Sequence, residues 1–309
     1  MAATAVLDIR FPFSTREQTW TRRLQINGWD SALNRRYADA LVAELEANAD
    51  EFADVEIRAV RLGGGRASHI GGEALWQVMR TVRKLYHLAP DAPVSMRCAA
   101  ADFSGASMPY FKRSGVGRFD LEMLSLSSTA FNRVNNTDSL DLYPVLCNSF
   151  LHSQSNDSLG IVLLCGSPQA SDIEVRRSFL EAKHYNVSHV IVECFEGNAS
   201  TDEAKGAEGK AEGDSPAVRC AAQVADGREL LKTAGFREYA PLHFARPGCE
   251  DRYFETLRDG TDVIGIGLGA RTVFDGAFSV NTSDLDIYLT YPHDFTKITV
   301  SAGRIGDGK

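Results

Sequence analysis

Short apolar runs alternate with longer amphipathic stretches along most of the chain. The first run, 5–11 (Ala-Val-Leu-Asp-Ile-Arg-Phe), predicts a strand. Residues 35–48 carry Ala38, Leu41, Val42 and Leu45 at helical spacing, the mark of an amphipathic helix. A second strand is expected over 55–62, running into Gly63, Gly64 and Gly65, with a helix over 73–85. Further strands are predicted at 93–98, 117–124, 159–165 and 189–194. Between them fall a short helix near 103–112, helical segments reaching residue 152, and a helix over 173–185. A last long helix covers 217–234. Strands that alternate with helices imply βα units and a largely parallel sheet. Six such units without a strong hydrophobic break favour one incomplete barrel over two domains, and no repeat of fixed period is visible.

The pattern breaks once. Residues 196–215 (EGNASTDEAKGAEGKAEGDS) hold no Val, Ile, Leu or aromatic residue, so they cannot bury apolar surface and are expected to form a disordered loop. The chain thus divides into one partial barrel over 1–195 and 216–290, the loop at 196–215, and a C-terminal tail at 291–309.

Composition narrows the functional classes. The 309 residues are 44% hydrophobic and 24% charged, which excludes a mainly disordered or collagen-like protein. A net charge of −8 opposes non-specific affinity for nucleic acid or anionic membrane, so neither is expected as a partner. There is no apolar run of about 18 residues, and the first 13 residues lack a signal-peptide pattern. The expected location is cytoplasmic. Cys98, Cys147, Cys165, Cys194, Cys220 and Cys249 are widely spaced with no CxxC, so reduced thiols are expected. The seven histidines form no HxxH or HExxH pair.

Three segments, in order, carry a resemblance. The first is Val60-Arg-Leu-Gly-Gly-Gly-Arg-Ala-Ser68, similar to a strand ending in GGGTPS. The second is Gly115-Val-Gly-Arg-Phe-Asp-Leu-Glu-Met-Leu-Ser125, similar to GVNRxSxGxQS. The third runs from Phe236-Arg-Glu-Tyr239 through Phe244-Ala-Arg-Pro-Gly248 and Tyr253 to Ile264-Gly-Ile-Gly-Leu-Gly-Ala270. Together they resemble the oxygen-independent coproporphyrinogen oxidase-like branch of the radical SAM superfamily. The resemblance implies an α/β fold, an incomplete parallel (β/α)6 barrel of radical SAM type, here without the family's full C-terminal domain. It also implies a [4Fe–4S] cluster on CxxxCxxC after the first strand, and SAM across the C-terminal strand ends.

The family's cluster cysteines fall on Ser14, Gln18 and Thr21. Iron in such clusters is held by thiolates, which neither a hydroxyl nor a neutral amide replaces well. Positions that handle SAM in the family become Arg66, Ala67, Arg97, Ala99, Ala100, Leu124 and Val162. If the family's ligand positions face inward, so do Arg97 and Val162, while Cys98 and Cys165 face the outer helices. Cys98, Cys165 and Cys194 lie near strand ends and are weak metal candidates, with core packing the favoured role. Asp120 and Glu122 also face inward, and with Arg97 they should form a salt-bridged network. Gly63, Gly64 and Gly65 keep the family's backbone and complete a vestigial ligand pocket. His69 and His243 are weak haem candidates by position, because the resembled branch includes haem-carrying members.

These readings point to a degenerate, non-catalytic binding or regulatory protein. Its partner would be a tetrapyrrole or other small ligand, an intact radical SAM homologue, or a second copy of itself. No resident cofactor is expected, with SAM or haem as the open alternatives and a [4Fe–4S] cluster disfavoured. The alternative is an enzyme of the same family with altered SAM- or metal-dependent chemistry.

Overall fold

The computed structural model describes residues 3–14, 21, 24–26, 30–102, 107–134, 158–185, 187–196 and 215–305. The six expected strands form at Thr4–Arg10 (β1), Glu56–Gly63 (β2), Val94–Cys98 (β4), Val116–Leu124 (β5), Ser158–Cys165 (β6) and His189–Cys194 (β7). A two-residue strand, His87–Leu88 (β3), pairs beside β2. β1, β2, β4, β5, β6 and β7 run parallel in that order. A seventh parallel strand, Asp262–Ile266 (β10), joins β1 on its other side and contains Gly265 of the glycine-dense segment. The sheet is not closed into a barrel. At one end, Arg271–Phe274 (β11), Ala277–Asn281 (β12) and Thr299–Arg304 (β13) continue it as an antiparallel meander. At the other end, a hairpin of Arg237–Ala240 (β8) and His243–Ala245 (β9) adds antiparallel to β7. The residues assigned to a tail thus include a strand of the main sheet. The 197–214 stretch, which carries most of the expected loop, and the helical segments expected over 135–152 lie outside the described residues.

The helices start where local chemistry satisfies their first amides. Asp30 caps Ser31–Asn48 (α1) by accepting from Leu33 N. Ser171 and Glu174 form a capping box on Asp172–His184, and Ser215 caps Pro216–Thr233, which has proline at its first position.

Alternation along the strands sorts the residues into two environments. One parity contributes Leu7, Ile9, Val60, Leu62, Met96, Cys98, Phe119, Leu121, Ile161, Leu163, Cys165 and Val190 to one core with the helices. Burying these side chains supplies most of the driving force for folding. The other parity carries Asp8, Arg10, Arg61, Arg97, Arg118, Asp120, Glu122, His189 and Glu193, an unusual inner face for a sheet. The sheet must curl strongly, because Arg97 on β4 bonds Glu193 on β7, and β5 and β6 lie between them. The short helix Arg252–Arg258 (α2) lies across this inner face. Its Tyr253, Phe254 and Leu257 pack on Val6, Ala59 and Val263, and Phe254 also meets the β8–β9 hairpin.

One sequence expectation is corrected here. Cys194 and Cys220 are joined in a disulfide, with Cα atoms 5.9 Å apart, so the thiols are not all reduced. Strand parity turns Cys194 outward, where the helix 216–233 crosses it and presents Cys220. A sequence separation of 26 residues hid the pairing.

Candidate ligand-binding site

The inner face is held by ion pairs that cross from strand to strand. Register places Arg97 beside Asp120, Asp120 beside Gly160, and Gly160 beside His189. The middle position is glycine for a steric reason. A Cβ on Gly160 would run into Asp120 Oδ1 and stand 3.1 Å from His189 Nδ1. Its absence lets Asp120 and His189 meet across β6 at 3.3 Å. His189 Nε2 in turn lies 2.7 Å from the Tyr239 hydroxyl.

Arg97 bridges two carboxylates. Its Nε donates to Glu122 at 2.6 Å, and both terminal nitrogens bond Glu193, Nη2 at 3.0 Å. Glu122 also accepts from Arg66 Nε at 2.9 Å. Asp120 binds Arg61 at 2.5 Å and lies 3.4 Å from Arg118 Nε. Asp251 stands 3.6 Å from Arg61 and 3.7 Å from Arg118. All eight charged side chains are buried, and four guanidinium groups face four carboxylates, so the charges cancel.

Titration behaviour follows from this pairing. Burial alone would raise the carboxyls of Asp120 and Glu122, but the adjacent arginines hold both well below the ordinary range. Burial and the Arg118 charge push His189 down to about 4, against the pull of Asp120, so it is neutral at pH 7. Arg97 pairs with Glu122, but Asp120 stands in a second cluster with Arg61, Arg118 and Asp251 rather than with Arg97. Arg118 and Glu193 share the parity of the residues that were singled out, and that signal could have found them. Arg66 and Asp251 lie in loops, where alternation says nothing.

Above the network lies a cavity of about 540 Å³ at the C-terminal strand ends. Its walls include Asp8 and Arg10 from β1, Arg61, Gly63 and Gly64 from the end of β2, and Arg97 and Glu193. Leu242, His243 and Phe254 close the opposite side. The glycine loop has a packing role: a Cβ on Gly65 would stand 2.5 Å from Phe11 O, so only glycine passes this close to the end of β1.

The remaining candidates separate. Cys98 and Cys165 sit in the helix-facing core, where burial raises the Cys165 thiol to about 12 and makes it unreactive. Cys194 is spent in its disulfide. Among the described residues no three His, Cys, Asp or Glu side chains could hold a metal ion. Ser14 is buried and bonds Ile26 through its backbone amide, while Thr21 lies on the cavity wall, its hydroxyl 3.3 Å from Glu196. Gln18 lies outside the described residues. Two hydroxyls and an amide at these positions do not fit an iron–sulfur cluster. His69 is buried off the cavity, 2.6 Å from Asp102. His243 lines the cavity, with Nδ1 2.7 Å from Pro241 O and its ring centroid 3.9 Å from that of Phe254. If Nδ1 donates to that carbonyl, Nε2 keeps its lone pair.

A curled, largely parallel sheet with its cavity at the C-terminal strand ends is a partial-barrel arrangement of the α/β class. The structure matches coproporphyrinogen III oxidase HemN of Escherichia coli, described as a radical SAM enzyme, with a TM-score of 0.81. The match has 17% identity and covers 98% of this chain and 72% of that one. In sequence, the chain is 28% identical to the heme chaperone HemW of Mycobacterium tuberculosis over 238 residues, 76% of this chain and 60% of the relative. It is 24% identical to the anaerobilin synthase of Escherichia coli O157:H7 over 258 residues, 82% of this chain and 57% of the relative. No protein-family model matches the chain. In sequence and fold the chain is similar to the coproporphyrinogen oxidase-like branch of the radical SAM superfamily, and it spans less than two thirds of the curated relatives it matches. Among the described residues no helix is long and apolar enough to cross a membrane.

Proposed function

We propose that this chain is a non-catalytic member of its branch that binds a small molecule in the cavity at the strand ends. The observation that carries the reading is the donor set after β1: hydroxyls at Ser14 and Thr21 and an amide at Gln18, where the family has cysteines. Without thiolates there is no seat for the cluster that radical chemistry begins from. The closed ion-pair network beneath the cavity supports the same reading, because its arginines and carboxylates are committed to one another. The test is anaerobic reconstitution with iron and sulfide, followed by metal analysis and a search for 5′-deoxyadenosine after adding SAM and reductant. The expected result is colourless protein and no cleavage product. Stoichiometric iron and sulfide with SAM cleavage would overturn the proposal in favour of an enzyme with altered chemistry.

A second reading rests on His243. Its neutral ring on the cavity wall could offer Nε2 to the iron of a haem, and the relative from Mycobacterium tuberculosis is named a heme chaperone. Haem titration should then give a shifted Soret band that His243→Ala abolishes. An identical band in both proteins refutes this ligand.

A further inference from the structure

The floor of the cavity holds one positive group that the ion-pair network does not cancel. Arg10 donates through Nη1 to Gly269 O at 2.7 Å, and its Nε is buried with no hydrogen-bond partner among the described residues. Gly64 fixes this placement. Its φ is 81°, and a Cβ there would stand 3.0 Å from Arg10 Nε. A buried N–H of a charged group without an acceptor is costly, and the guanidinium that carries it lines the cavity.

Asp8 lies two residues away on the same face of β1 and also lines the cavity. Burial raises its carboxyl above the ordinary 3.8, opposed by Arg10 on its own strand and Arg61 on β2. Tyr253 faces it from α2. Arg61 is bound to Asp120, and Arg97 and Glu193 elsewhere on the wall are bound to each other. Burial also lowers His243, keeping that ring neutral, and Glu196 meets Thr21. If Asp8 takes up a proton, Arg10 is left as an uncompensated cation beside a carboxylic acid that can donate.

We propose that the cavity floor is an oxyanion seat, in which the Arg10 guanidinium and a protonated Asp8 together hold the carboxylate or phosphate of a small ligand. The inference rests on reading the cavity as a ligand site, and adds the ligand's charge and a coupled proton. Two charge-assisted donors converge on one acidic group, while Ile191, Leu242 and Phe254 offer an apolar wall to the rest of the molecule. Binding takes one proton from solvent onto Asp8, so it weakens as pH rises.

Isothermal titration with benzoate and with sulfate, a tetrahedral stand-in for phosphate, each ionised at both pH 5 and pH 8, tests this. At least one probe should bind, roughly tenfold or more tighter at pH 5, with heats that depend on buffer ionisation as proton uptake requires. Which probe binds separates a carboxylate from a phosphate source. Asp8→Asn keeps a neutral donor at every pH, so it should bind at both pH values without proton uptake. Arg10→Gln should lose about 10- to 100-fold in affinity with an unchanged circular dichroism spectrum. If that variant fails to fold, the flat pH profile of Asp8→Asn decides alone. Neither probe binding, or Asp8→Asn keeping the parent's pH dependence, overturns the seat. The underlying reading fails separately, by iron–sulfur assembly, and it survives if haem binds while both anions do not.

Discussion

Single positions govern how this protein responds to pH. Glu44 on α1 is buried and accepts from Gly267 N at 2.8 Å, Asn281 Nδ2 at 2.6 Å and the Tyr288 hydroxyl at 2.5 Å. Burial outweighs these three bonds and pushes its carboxyl from 4.5 up to about 7. An acid whose folded value is raised keeps its proton in the folded state while the unfolded chain loses it. Its contribution to stability is therefore full below about pH 4.5 and declines as pH rises to about 7, by roughly 3 kcal/mol. His189 acts in the opposite sense: neutral when folded, it costs stability as pH falls from 6.5 to about 4. The two offset each other over much of the range. In Glu44→Gln the declining part is gone, so the variant's stability relative to the parent should climb by about 3 kcal/mol between pH 4.5 and 7. Urea melts at a series of pH values would show it, and parallel curves for the two proteins would refute it.

At the scale of elements, the six parallel strands were legible because each is a short apolar run bounded by turn residues. β10 was harder to read. Asp262–Ile266 has glycine at its fourth position, and nothing local says that it pairs with β1, more than 250 residues earlier. The strand Thr299–Arg304 was missed for a related reason: five of its six residues are exposed, so it carries no apolar pattern. In the site, alternation gave the inward face of β4 and β5 but not which partners would arrive from loops and from β7. The disulfide belongs to this scale too, since it ties the end of β7 to the helix 216–233. Closing a span of that length should stabilise the fold by about 3 kcal/mol. Tryptic mapping without reductant should yield a Cys194–Cys220 linked peptide, and Cys194→Ser should lower the denaturation midpoint by a matching amount. Alkylation of both cysteines in the native, unreduced protein would disprove the link.

The whole molecule depends on ion pairs that join strands lying far apart in the sheet. Arg97 fastens β4 to β7 through Glu193 and to β5 through Glu122. Replacing it with methionine keeps comparable bulk but leaves Glu193 and part of Glu122 buried beside the cavity without a countercharge. The expected loss is about 3–5 kcal/mol, read as a lower thermal midpoint. The companion Arg97→Met, Glu193→Leu removes both charges of one pair and should recover a large share of that loss. If Arg97→Met alone is neutral, the network contributes little to holding the curled sheet.

The cancellation of charge across this interior also bears on how the protein can drift over generations. A surface charge can be lost by one mutation and tolerated. Here each of the eight groups answers to one or two named partners, so a lone replacement strands another charge away from water. Change at these sites is expected to come in matched steps, an arginine and its carboxylate vanishing or swapping together. Related sequences should show Arg97 with Glu193, and Arg61 with Asp120, replaced as couples far more often than singly.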